Sequence, residues 1–220
     1  MAESNRDLAA VDLVPRPVLH GVQDDEPERG VFFFGKPITC PLDMESAPSH
    51  IRAYAAERQG QVEFRQLVMN LSLSPKSGEP IHNARMTVLT VPPDDREELL
   101  LRDASPLLLT RAVTRTATLT IKGGAGGVAG PEAQVGTQRE DEDAFLVARG
   151  LDTTCVQWEF RHTSGQELDG SHLLKATVEL PVGVTGSFHL SAAVSIRRKR
   201  LGIIPYRALL PRDRSVVPCR

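Results

Sequence analysis

Between Cys155 and Arg200 the chain carries three runs in which every second residue is apolar: Val156, Trp158 and Phe160; Leu174, Ala176, Val178 and Leu180; Phe188, Leu190, Ala192, Val194 and Ile196. Side chains alternate across an extended strand, so a period of two gives each run one apolar face, an arrangement a helix cannot use. Glu159, Arg161, Lys175, Glu179 and His189 fall on the opposite face. TSGQELDGS and VGVTG separate the runs and have the composition of turns. The pattern predicts three consecutive strands of an antiparallel meander, with the remaining chain packed against it.

The flanking sequence extends the same theme. GVFFFGKPITC (30–40) is a short apolar run suited to a buried strand, and QVEFRQLVMNLSLSPKSGEPIHNARMTVLTV (61–91) reads as two strands joined by a Pro/Gly turn. Val62 and Phe64 are out of phase with Leu67, Met69, Leu71 and Leu73, which predicts a bulge or strand switch near Gln66. RAVTRTATLTIKGG (111–124) alternates strictly, with Val113, Ala117, Leu119 and Ile121 on one face and threonines 114, 116, 118 and 120 on the other. One helix is expected in SAPSHIRAYAAERQG (46–60), capped by Ser46 or Ser49 and stopped at Gly60, and a helical turn in 92–106. The expected fold is an all-β sandwich, immunoglobulin-like or of Greek-key type, with about eight strands and one short helix. Its expected parts are a flexible N-terminal arm (1–29), the sandwich (30–200) and a Pro-containing C-terminal tail (201–220).

At 220 residues the chain can bury a sizeable core. No continuous apolar run reaches the length of a membrane-spanning helix, and MAESNRDLAAVDL has neither a basic nor an apolar leader region, so the expectation is no membrane span and a cytoplasmic place. Cys40, Cys155 and Cys219 show no CxxC spacing, hence neither a disulfide framework nor a zinc site. The net charge of -2 conceals an uneven distribution: 196–220 holds eight Lys or Arg and one Asp, and the rest of the chain is acidic.

Candidate chemistry is sparse. Gly124–Ala129 matches GxGxxA, but Gly130 and Pro131 prevent the helix whose N-terminus would hold a pyrophosphate. Asp169, Ser171 and His172 are neighbours in a turn and lack a nucleophile elbow. His162 and His189 have opposite phases and should face apart. No cofactor or metal is expected. The alternative of an enzyme, or of a small-ligand or calcium site, would rest on acidic loops holding Asp94, Asp95, Glu140, Asp141 and Asp143.

The basic segment is the favoured functional feature. Arg197, Arg198, Lys199 and Arg200 leave the last alternating run, and Ile203, Ile204, Tyr206 and Arg207 follow beside prolines. Such a segment predicts an extended peptide docking on another protein, acidic or a second copy of the chain, with nucleic acid disfavoured by the acidic body. The expected function is therefore a non-enzymatic intracellular interaction module or accessory subunit.

Overall fold

A computed structural model describes residues 8–16, 27–93, 98–121, 133–163, 167–199 and 201–219, the backbone alone for 111–121 and 133–141. The strands are β1 (Ala9–Pro15), β2 (Glu28–Phe34), β3 (Ile38–Pro41), β4 (Val62–Leu73), β5 (Ile81–Val91), β6 (Leu100–Ser105), β7 (Leu108–Ile121), β8 (Ala133–Arg149), β9 (Cys155–Arg161), β10 (Gly170–Pro181), β11 (Gly186–Arg198), β12 (Gly202–Ala208) and β13 (Val216–Cys219). Two helices, α1 (Ser49–Glu57) and α2 (Arg212–Ser215), complete the elements.

All the strands belong to one antiparallel sheet, ordered β6-β10-β4-β2-β1-β12-β11-β5-β9-β8-β7, with β13 beside β11 and β3 beside β4 off that path. The all-β expectation stands. The eight-strand immunoglobulin-like sandwich does not, because the sheet is a single curled half-barrel whose main path runs through eleven strands. The curl brings its two arms face to face. Leu101 on β6 bridges the connection between β8 and β9, its N–H donating to the Thr153 carbonyl and its carbonyl accepting from the Asp152 N–H, each at 2.8 Å, and the His172 ring on β10 lies 4.9 Å from the Phe160 ring on β9.

The three alternating runs are strands, and their apolar residues are buried as a period of two requires. They are not a meander: β9 lies between β5 and β8, β10 between β4 and β6, and β11 beside β5, β12 and β13. Periodicity reports which face is buried, whereas neighbours are chosen by long-range pairing that leaves no local mark. β4 and β10 pair without interruption from Gly170↔Leu73 to Pro181↔Val62, so the expected bulge at Gln66 is absent. Phe64 instead faces α1, where it packs with Ala47 and Ile51, while Leu67, Met69, Leu71 and Leu73 face the main core. One straight strand buries both phases because a helix covers one end of its outer face.

α1 begins at Pro48 with no side-chain cap; Ser46 Oγ donates to the Asp43 carbonyl, so the expected serine cap is not made. Gly60 follows with φ of +76°, a backbone region that favours glycine. Leu100–Ser105 forms β6, and 94–97, which holds Asp94 and Asp95 and where the helical turn is expected to start, lies outside the described residues. Within the expected arm, 9–15 forms β1 between β2 and β12. Within the expected tail, Gly202–Ala208 forms β12 in the middle of the path.

Candidate functional site

β7 and β8 are the two longest strands, 14 and 17 residues, and pair from Leu108↔Val147 to Ile121↔Ala133. β9 joins β8 only at Leu146–Arg149. Among the described residues no third strand runs beside the hairpin from there to its tip. From Thr110↔Ala144 outward it is thus a two-stranded ribbon of twelve pairs. At about 3.4 Å per residue that ribbon is roughly 37 Å long.

Its base is anchored. Leu146 and Phe145 are buried, Phe145 lies 6.4 Å from the His172 ring, and Ala148 N–H donates to the Leu107 carbonyl at 2.8 Å. Trp158, fully buried on β9, donates its indole N–H to the Pro106 carbonyl at 3.1 Å, which fixes the entry to β7. Leu107 and Leu108 remain about half exposed there.

Pairing gives the sequence pattern of the ribbon a second dimension. Thr114, Thr116, Thr118 and Thr120 stand opposite Glu140, Gln138, Gly136 and Gln134, whereas Ala117, Leu119 and Ile121 stand opposite Thr137, Val135 and Ala133. Directly opposite residues of an antiparallel pair share a face. One face is therefore polar along its length by sequence, and the other is apolar toward the tip. Charges gather near the base, where Arg111 is opposite Asp143 and Val113 opposite Asp141. From Thr116 to Gln138 the sequence carries only Lys122 and Glu132.

Two ion clusters hold the curled body together. Arg198 on β11 bonds Glu28 and Glu79 and reaches the Tyr206 hydroxyl at 3.3 Å, with Lys76 on Glu28 as well. Burial acts against the Glu28 charge, but the bonds from Lys76 and Arg198 outweigh it and hold the carboxyl below the ordinary range. The Arg198 guanidinium is pushed up, chiefly by its bond to Glu79. Arg102 on β6 bonds Glu179 on β10, Asp152 at 2.9 Å and the Tyr54 hydroxyl at 3.0 Å, and stacks 4.9 Å from the Tyr54 ring centre. Burial opposes the Arg102 charge too, and the bonds to Asp152 and Glu179 raise its pKa against that. Both clusters pair cations with carboxylates from different parts of the chain, an arrangement suited to joining strands.

The expected docking residues are divided by the sheet. Arg197 and Lys199 are exposed, Arg198 is committed to the first cluster, and Arg200 lies outside the described residues. Ile204 and Tyr206 are buried in the core, while Ile203 and Arg207 point outward from β12. The segment is paired on both sides, through Leu13–Pro15 and Ala193–Arg198. Pro205 stands in this strand opposite Ser195, and its carbonyl accepts from the Arg16 N–H at 2.9 Å.

Glu140, Asp141 and Asp143 stand on β8 and not in a loop. Among the described residues no three His, Cys, Asp or Glu side chains gather as metal ligands. Gly124–Ala129 falls outside the described residues. His172 begins β10 against Phe160, His162 donates its backbone N–H to the His82 carbonyl, and His189 pairs with Leu89 and Val216. Burial pushes the Cys219 thiol up to about 11, which suits a core residue.

The fold and its extended ribbon define a curled all-β protein with one long amphipathic hairpin. No protein-family model matches the chain, and no curated protein matches it. Among solved structures it is similar to the Clostridium perfringens NetB toxin in its membrane-inserted form, at 7% identity and a TM-score of 0.28 over 96% of this chain and 92% of that one. It is also similar to a pore-forming protein, at 7% identity and a TM-score of 0.31 over 94% and 90% of the two chains. The expected intracellular interaction module, immunoglobulin-like and cytoplasmic, runs against both and is withdrawn. Likeness at these TM-scores carries no argument about activity, which is argued below from the hairpin.

Proposed function

We propose that the protein inserts into membranes through the β7–β8 hairpin, with the curled body as the platform that carries it. The single observation behind this reading is the ribbon of twelve pairs, roughly 37 Å long at strand rise, that leaves the sheet beyond Leu146. A bilayer hydrocarbon core is about 30 Å thick and is crossed by strands of about 9–11 residues. The sequence of the ribbon has the alternation such strands need, with a threonine and glutamine row for water and Ala117, Leu119, Ile121, Ala133 and Val135 for lipid. Arg115 opposite Arg139 shares the lipid-side phase. A charge there costs about 2–4 kcal/mol at the bilayer centre and about 0–1 kcal/mol near the interface, so this pair favours a place near an interface over the bilayer centre. No helix of the described residues is long and apolar enough to cross a membrane, and strands are the elements that remain.

Dye-loaded vesicles of phosphatidylcholine and phosphatidylglycerol test this directly. The protein should release dye, and Leu119→Asp should lose release while its thermal unfolding is unchanged. Vesicles that neither bind the protein nor leak over a wide range of protein concentration and pH would sink the reading.

A further inference from the structure

The outward face of the sheet between β12 and β9 is basic. It carries Arg207 on β12, Arg197 on β11, Arg85 on β5 and Arg161 on β9, all exposed, against one carboxylate, Glu159. Arg16 joins them from the end of β1, beside Pro205. The register shows why a hollow lies among these arginines. Pro205, Ser195 and Asn83 stand side by side across β12, β11 and β5, and Ala193 stands between Arg207 and Arg85. Short side chains in the middle and long ones around them leave a cavity of about 120 Å³, walled by Arg16, Arg85, Asn83, Ser195 and Glu159 over a floor of Ala193 and Pro205.

Glu159 does not close this cavity to anions. Arg161 bonds its Oε2 at 2.7 Å, and that bond, with the charges of Arg161, Arg85 and Arg149, holds the carboxyl below the ordinary range against its burial. The fields of several cations therefore overlap here. Among the described residues no carboxylate lies within ion-pair distance of Arg16, Arg85 or Arg207. We infer that the cavity binds a phosphate monoester group. Such a group carries about two negative charges and three strong acceptor oxygens. A guanidinium fork matches two phosphate oxygens at once, so Arg16 and Arg85, set on opposite sides of the hollow, each hold one edge of the group. The Ser195 hydroxyl and the Asn83 amide donate from the strands between them. A carboxylate, with two oxygens and one charge, would leave one side of the hollow unserved. The site lies on strands of the body and does not depend on insertion of the hairpin.

Titration calorimetry with phenyl phosphate tests this, and sedimentation with vesicles of phosphatidylcholine and phosphatidic acid is a second arm. The parent should bind phenyl phosphate saturably at a single site. Arg16→Gln and Arg85→Gln should each weaken that binding about tenfold. Arg197→Gln removes a charge from the same face but outside the cavity, and should change the affinity by less than about twofold. All three arginines are exposed, so the variants should melt like the parent. Phenyl phosphate binding together with vesicle sedimentation that Arg85→Gln abolishes would assign the group to a lipid headgroup. The same binding without sedimentation would assign it to a soluble phosphorylated molecule, and both results support the site. The inference falls if phenyl phosphate shows no saturable binding, or if Arg16→Gln and Arg85→Gln bind it like the parent. It falls equally if Arg197→Gln weakens binding as much as Arg85→Gln, since the attraction is then to the whole basic face. Binding of phenyl phosphate needs no membrane, so its failure leaves the hairpin reading standing, and a protein that binds it without releasing dye loses only that reading.

Discussion

The two ends of the sheet are built from the same kind of strand and treated in opposite ways. At one end β6 pairs with β10, turns back through the Leu101–Thr153 bridge and is fastened by Arg102 to Glu179, Asp152 and Tyr54. At the other, β7 and β8 pair with one another and leave the sheet. An exposed strand edge recruits other strands, and proteins ordinarily cover or charge it. The β6 end follows that rule. The β7 end keeps its edges and spends its sequence on alternation, which points to a partner or a solvent outside the monomer.

The contrast predicts separable effects. Replacing Arg111–Asp143 by an Asn-Gly turn should reduce vesicle leakage to background and move the unfolding midpoint of the body by less than about 3 °C, equivalent to about 1 kcal/mol. Loss of cooperative melting in that variant would show the hairpin to be part of the body. Leu101→Ala at the closed end should cost about 2–5 kcal/mol in denaturant unfolding, since a fully buried side chain is removed from the seam. An effect no larger than that of a surface substitution would mean that the seam does not close the sheet.

Arg102→Met leaves the buried Glu179 carboxylate without its cation and should cost about 2–4 kcal/mol, much of it restored by adding Glu179→Leu. Equal destabilisation in the single and double variants would contradict the pairing argument. A smaller effect comes from Glu28, whose carboxyl is held low in the folded chain. Its contribution is complete above the ordinary carboxylate range and is lost as pH falls through the lowered value, so acid should weaken the parent more steeply than Glu28→Gln. Identical pH slopes would remove the Glu28 account. Ile203→Thr, on the outward face of β12, should change stability by less than about 0.5 kcal/mol. A larger loss would mean that this outward face is covered.

Much of the local structure was legible because it is local. Trp158, Val178 and Val194 announced buried strand faces by period alone, and Ile51 with Tyr54 and Ala55 announced α1. The organising meander was not legible, since β9, β10 and β11 each chose partners far away in the chain. Composition also hid β8. Residues 133–143, with two Gln and four acids after a glycine-rich run, read as a loop, yet they pair with β7 along their length. The candidate site was half visible: the threonine alternation of 111–124 stands in the sequence, but no continuous apolar run accompanies it. A strand that crosses lipid shows apolar residues only at every second position and so leaves no such run.

The sequence by itself determined that the chain is all-β, which residues face the core and where the acid and base lie, because these depend on side-chain period and charge. Tertiary structure decided that Pro205 and Tyr206 belong to a central strand, that β6 closes one end, and that β7 and β8 leave the other. Those outcomes depend on which backbone edges find each other across the fold. Every residue carries the same N–H and C=O, save proline, so that choice is written only in the fit of the whole sheet.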